Sequence, residues 1–274
     1  MNQEFVKRKE QVVSSLVEYV DPERRDKSPK GFIDAPILDL MHVINQHQDY
    51  YTTSSCSGRV AIYCPSMQDD KTTTKGGIWL YVSHDPISVP SEDQETWIVQ
   101  LLFSGRPVVF DFKRPVDLLS KQLIYFKFEP LILHIEASSQ ATAMHLLNIA
   151  NGVGYQNSGI TPSRRHMLAI RSTLKIDTPI AYVENDTIYC LVDPAYLLLL
   201  LNMSNEKFEQ NIQRMKVFEE KMKEELLASK PAKESKEERR ERKRKEGLAQ
   251  KQKATKQDKF NIEQDVDMSD VFAF

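Results

Sequence analysis

Seven hydroxyl residues, a thiol, a glycine and an arginine stand together in Tyr50–Arg59, YYTTSSCSGR. Small donors and acceptors of this kind suit a loop or strand end where backbone amides approach an anion or a polar ligand. Gly58 permits a tight turn or a close approach, and Arg59 carries a planar five-donor fork suited to phosphate or carboxylate. The same residues also read as a Ser/Thr-rich turn followed by an arginine that pairs with a structural carboxylate. A second specialised stretch, GVGYQNSG at 152–159, holds three glycines. It follows a helix instead of joining a strand to one, so a Rossmann fingerprint is not met. Asn157 and Ser158 there suit a base edge, an amino-acid carboxylate or a plain Asn/Gly turn.

Two histidines have the intrinsic pKa for proton transfer. His84 ends the apolar run IWLYVSH, and His134 shares a strand face with Glu136 in LILHIEA. The His-x-Glu spacing lacks further ligands, so no metal site is expected from it. Cys56, Cys64 and Cys190 are odd in number and lack CxxC spacing. That pattern points away from a disulfide framework or zinc site and toward reduced thiols.

The elements that must position these residues follow from periodicity. Phe5, Val12, Leu16 and Val20 recur at helical spacing over 3–20, and Ile37, Leu40, Met41 and Ile44 mark a second helix with Asp34 as its cap. Short strands are expected at 60–65, 78–84 and 107–112; Thr96–Phe103 reads as strand or helix, and its acidic lead-in favours a helix over Glu92–Leu102. Leu123–Ala137 is the strongest strand signal, and its Pro130 demands an edge or a bulge. Alternation there sets Leu131, Leu133 and Ile135 against Ile132, His134 and Glu136. A serine-capped helix ends near Gly152, strands follow over 160–173 and 179–192, and a long helix starts at Pro194 with a break near Asn202–Ser204.

At 274 residues and 41% hydrophobic content, one globular domain plus extensions fits better than two full domains. No apolar run reaches membrane-spanning length, and the first residues lack the apolar core of a signal peptide, so an intracellular, cytoplasmic protein is expected. The net charge of −2 is uneven: Ser229–Lys259 carries thirteen Lys/Arg against six Asp/Glu, leaving residues 1–228 acidic. Nucleic-acid binding by the core must then rest on a local patch. The basic segment reads either as an electrostatic tether for RNA or as a solubilising tail.

Taken in order, DKSPKGFIDAPILDLMHVINQHQDYYTTSSCSGR, the strand ending VSH, FKFEPLILHIEA, GYQNSGI and AIRSTLKIDTPI resemble the tRNA wybutosine-synthesising methyltransferase family. The resemblance covers residues 3–228 and leaves the basic tail outside it. It implies methyl transfer from S-adenosylmethionine to a ring nitrogen, N4, of the tricyclic base built on guanosine 37 in the anticodon arm of phenylalanine tRNA. The fold implied is a compact α+β domain over 1–228, with a mixed sheet flanked by helices and no Rossmann-like donor site. A long C-terminal helix completes it, and the charged segment 229–274 reads from its own composition as a largely disordered or frayed-helical tail.

Methyl transfer from a sulfonium needs alignment and charge stabilisation, not a covalent nucleophile, so Cys56 is better suited to packing or hydrogen bonding. The resemblance does not show which residues touch donor or base; from their own chemistry, Ser55, Ser57, Gly58 and Arg59 are expected to join Asn157, Ser158 and Gly159 in one pocket for both. His84 or His134 would take the acceptor's proton. Lys27, Lys30, Arg164, Arg165 and Arg171 would meet stem phosphates. The alternative is a non-catalytic RNA-binding module on the same frame, although no RRM-like stacking platform is evident in the sequence.

Overall fold

The computed structural model describes residues 3–18, 33–65, 77–113, 115, 117–229 and 244. Lys27 and Lys30, and the charged tail apart from Ser229 and Arg244, lie outside them. The chain opens with α1 (Gln3–Glu18), a short 3-10 turn (Ala35–Ile37), α2 (Leu38–Gln46), β1 (Tyr50–Cys64), β2 (Ile78–Ser83) and α3 (Gln94–Leu102). There follow β3 (Val108–Phe110), β4 (Gln122–Ala137), α4 (Gln140–Gly152), β5 (Gly159–Thr161), β6 (His166–Arg171), β7 (Ile176–Glu184), β8 (Thr187–Cys190) and α5 (Pro194–Ser229).

The described strands form one mixed sheet in the order β2-β1-β4-β7-β8-β3, with β6 on β4 and β5 on β6. Only β3 and β8 run parallel. Long β4 is the axis: its first half pairs with β7, its second half with β6, and β1 follows it along nearly its whole length.

One face of the sheet is buried against α5, whose buried residues recur at Leu197, Leu201, Ser204, Phe208, Asn211, Met215, Phe218 and Met222. Steps of four and three keep a single stripe against the sheet. The first half of that stripe joins a cluster with Val60, Ile62, Ile124, Phe126 and Phe128, and the second half joins α2, α4 and Leu131, Leu133 and Ile135. A fully buried side chain of this size contributes about 1.5–3 kcal/mol. The helix is continuous through Asn202–Ser204, where the sequence suggested a break. Ser204 is fully buried and its hydroxyl donates to Leu200 O at 2.9 Å, which removes the reason for one.

The two clusters require β4 to change phase. Buried positions run 124, 126, 128 and then 131, 133, 135, with Pro130 at the change. β1 bends beside it: the ladder passes from Cys56–Ile132 to Gly58–Pro130, and Asn211 enters between. Its Oδ1 accepts from Leu131 N at 2.9 Å and its Nδ2 donates to Ser57 O at 2.7 Å. The edge or bulge expected at Pro130 does not form: the register with β1 is unshifted there, Pro130 sits in a central strand between the residues that pair with β7 and those that pair with β6, and a helix side chain supplies the missing rung. Gly58 has φ +131°, and a Cβ there would meet Asn211 Nδ2 at 3.2 Å and Glu129 O at 3.3 Å. Gly58→Ala is expected to lower stability by about 1–3 kcal/mol, read as a fall in melting temperature; an unchanged melting temperature would show that the bend tolerates a side chain.

Candidate active site

Tyr50–Arg59 is not a loop or strand end but the first ten residues of β1. β2 covers the free edge of β1 only from Val60 to Cys64. Ahead of Val60, side chains stand in for a strand. Asn45 of α2 accepts from Thr52 N at 2.8 Å, and Asp34 Oδ2 accepts from Ser57 N at 2.8 Å and Ser57 Oγ at 2.9 Å. An edge that would otherwise show bare amides is thereby satisfied by side chains seven and twenty-three residues upstream of the amides they hold. Asp34 makes no side-chain cap to the turn that it precedes, the role its sequence position suggested.

His84 follows the end of β2 directly, which brings it beside this edge. The Asp34 carboxylate, the Cys56 thiol and a His84 ring nitrogen all lie within 4.8 Å of one another. Burial pushes the Cys56 thiol up, against a weaker lowering by the Gly58 amide, so the group keeps its proton and is not set up as a nucleophile. Sequence spacing gave no metal site, yet one oxygen, one sulfur and one nitrogen from three separate segments converge here. That donor set would suit zinc or another borderline cation. It equally suits proton handling beside a methyl acceptor.

His134 stands on the sheet face turned away from α5, opposite Ser54 on β1, with Ser54 Oγ and His134 Nδ1 2.8 Å apart. Cys56 lies one same-face step from Ser54, about 7 Å along the strand. Burial lowers the His134 pKa and Arg171, on the neighbouring strand, lowers it further. The ring is therefore neutral near pH 7 and able to accept a proton.

The remaining candidates divide. Ser55 faces α2, its hydroxyl 3.2 Å from Met41 Sδ. Arg59 Nε donates to Glu129 Oε2 at 2.6 Å, and its guanidinium lies 4.6 Å from the centroid of the Trp79 ring. Of the two readings of Arg59, pairing with a carboxylate of the protein is the one observed.

Asn157, Ser158 and Gly159 are not beside Ser55–Arg59. β5 is separated from β1 by β4 and β6, so Gly159 lies three strands, about 14 Å, from Ser54. The Gly-rich turn before it is held by the protein itself. Arg214 of α5 donates to Gly154 O at 3.1 Å, and Ser158 Oγ donates to Tyr155 O and accepts from Arg171 N.

Arg164 and Arg171 are exposed. Arg165 is instead engaged: its Nε donates to Glu136 Oε2 at 2.8 Å, and Nη2 to the same oxygen and to Tyr51 Oη. Glu136, 1% exposed, also receives Arg8 from α1 at 2.6 Å and the Tyr51 hydroxyl. The carboxylate that shares a face with His134 thus anchors α1 and the β5–β6 hairpin and is not a metal ligand.

Asp34, Asn45, Trp79 and Asn211 matter more than their local sequence suggested. Asn45 precedes β1 by only five residues, so a polar side chain just upstream of a strand was a usable signal, whereas Asp34, sixteen residues ahead of it, gave none. Asn211 carried one too: a lone amide in an apolar helical stripe.

Together these features define an α+β domain that, among the described residues, has no nucleotide-binding glycine loop, and whose candidate site is the free edge of its longest strand pair. The chain belongs to the methyltransferase TYW3 family, whose model matches residues 7–224. It is 32% identical over 263 residues to tRNA wybutosine-synthesizing protein 3 of Saccharomyces cerevisiae, covering 87% of this chain and 93% of that one. It is 34% identical to the protein of the same name from Schizosaccharomyces pombe, covering 72% and 79%. With the 2/3/4 protein of Arabidopsis thaliana it shares 37% identity, over 77% of this chain but 20% of that much longer one. The solved structure of the PH1069 protein from Pyrococcus horikoshii shares the fold, with a TM-score of 0.59 at 24% identity, over 80% of this chain and 95% of that one. Among the described residues no helix is long and apolar enough to cross a membrane.

Proposed function

We propose that the protein transfers a methyl group from S-adenosylmethionine to N4 of the tricyclic guanosine-37 base in phenylalanine tRNA, in the cytoplasm, as a step of wybutosine synthesis. What supports this reading is the convergence of Asp34, Cys56 and His84 at one strand edge, inside the segment that matches the family. S-adenosylmethionine would supply a methyl carbon on a sulfonium, displaced in line by the ring nitrogen while sulfur leaves with the bonding electrons. The chain's part is to align the base, exclude water and take the proton that the nitrogen sheds.

His84 takes that proton in this reading, with Asp34 orienting it and His134 on the adjoining rung as a second acceptor. Ser57 and Gly58 shape the edge beside Asp34, and Asn157 and Gly159, farther along the sheet, present small polar groups to donor and base. Lys27, Lys30, Arg164 and Arg171 meet phosphates of the anticodon stem; Arg165 is set aside because Glu136 and Tyr51 hold its fork. Residues 1–228 carry the chemistry, and the basic segment from Ser229 to Lys259 tethers RNA.

Incubation with labelled S-adenosylmethionine and tRNA carrying or lacking the tricyclic precursor tests the reading. Transfer to the precursor alone is expected; transfer to neither would leave a binding module. His84→Ala is expected to lower kcat about 10²–10⁴-fold while donor binding persists. An unaltered rate would remove His84 from the proton transfer.

A further inference from the structure

The sheet face turned away from α5 carries aromatic rings interleaved with cations, immediately beyond Cys56. Arg59 reaches across small Ala61 to lie over Trp79, Trp79 sits 4.5 Å from Tyr63, and Lys127 lies 5.8 Å and 5.5 Å from the centroids of Tyr63 and Tyr125. These residues come from β2, β1 and β4, adjacent strands whose pairing places Trp79 opposite Tyr63 and Tyr63 opposite Tyr125. Trp79 is 41% exposed and its strand neighbour Val82 39%, a degree of exposure unusual for an indole.

The charges decide what such a surface can bind. Arg59 is paired with Glu129, and Lys127 with Asp177 at 2.9 Å and 3.0 Å. A track for phosphates would leave its cations without carboxylate partners. Here each cation is neutralised and oriented over a ring, which leaves flat polarisable surface as the recognition element. Stacking on aromatic rings or on a guanidinium plane is how proteins hold unpaired nucleobases without reading their sequence.

We infer that Arg59, Tyr63 and Trp79 form a stacking shelf for unpaired nucleobases, holding loop nucleotides next to the one presented to the Asp34, Cys56 and His84 edge. The inference deepens the proposed tRNA reading and rests on it for the identity of the RNA. Its geometry has the loop splayed over β1–β2, with the target base turned toward His84.

The full chain has two tryptophans, so Trp97→Phe leaves Trp79 as the sole indole reporter. Titration with an RNA hairpin bearing an unpaired loop should quench its fluorescence, and a blunt RNA duplex of equal length should not. With labelled hairpin and anisotropy detection, Trp79→Ala should weaken binding about ten-fold, by the same factor at low and high salt, and Trp79→Phe should restore most of it. Equal quenching by the duplex, or a Trp79→Ala loss that vanishes at high salt, would overturn the shelf in favour of phosphate attraction. Absence of quenching by the hairpin in a protein that still methylates precursor tRNA would overturn the shelf and leave the proposed function standing. Quenching without any methyl transfer would support the shelf and reject the function.

Discussion

Replacing Asn211 with leucine is expected to cost about 2–6 kcal/mol and to weaken the strand-edge site at the same time. The side chain is 1% exposed and serves two buried backbone groups, Leu131 N–H and Ser57 C=O. Leucine satisfies neither, and each orphaned buried group costs about 1–3 kcal/mol. The site is coupled because Ser57, whose carbonyl Asn211 holds, also donates its N–H and hydroxyl to Asp34. Urea unfolding gives the stability term and donor binding by calorimetry gives the second. Asn211→Asp keeps the acceptor for Leu131 but places a carboxylate against the Ser57 carbonyl, so it should do no better. A loss below about 1 kcal/mol in the leucine variant would mean that the strands close their own rung when the amide is gone.

The second large effect concerns Glu136. Glu136→Gln removes the charge that gathers Arg8, Arg165 and Tyr51, and the new amide turns two donors toward guanidiniums that also donate. Breaking a fully buried pair costs about 3–5 kcal/mol; because the Arg8 and Arg165 side chains are 30% and 49% exposed and can turn to water, about 2–3 kcal/mol is expected here. Amide exchange should accelerate in α1 and in the β5–β6 hairpin before the rest of the sheet.

The same carboxylate shapes the acid response. Burial pushes the Glu136 carboxyl up, but hydrogen bonds from Arg165, Tyr51 and Arg8 outweigh it and hold the group below its ordinary value of 4.5. Its stabilisation is therefore complete above that value and fades as pH falls through the folded one. His47 and His134 act earlier. Burial lowers both from 6.5, so unfolding takes up protons and stability declines as pH drops below 6.5. Stability measured against pH should thus fall in two stages, and Glu136→Gln should flatten the lower one alone. An unaltered lower stage would assign it to other carboxylates.

Several features were legible in the residues. The strand over 123–137, its anomaly at Pro130 and the alternation of Leu131, Leu133 and Ile135 follow from side-chain periodicity, a property of adjacent residues. The helices over 94–102 and 140–152 follow likewise, and the Ser139 capping box lies within four residues. Ordered motifs also carried the family. Tyr50–Arg59 was misjudged because seven hydroxyl residues resemble a loop, whereas the segment is a strand whose edge amides are satisfied by Asp34 and Asn45. The expected pocket joining Ser55–Arg59 to Asn157–Gly159 failed for a related reason: the insertion of β6 between β4 and β5 is a choice of strand order.

What the sequence determined by itself, then, was the run of elements and the residue types able to do the chemistry, since both depend on near neighbours. Only the tertiary structure decided that His84 meets Asp34 and Cys56, that Arg59 lies on Trp79 instead of awaiting an anion, and that Asn211 completes a ladder eighty residues away. Those contacts depend on how β1, β2, β4 and α5 come together. Pairing register and helix placement are settled by the summed burial of the whole core, and no single stretch encodes them.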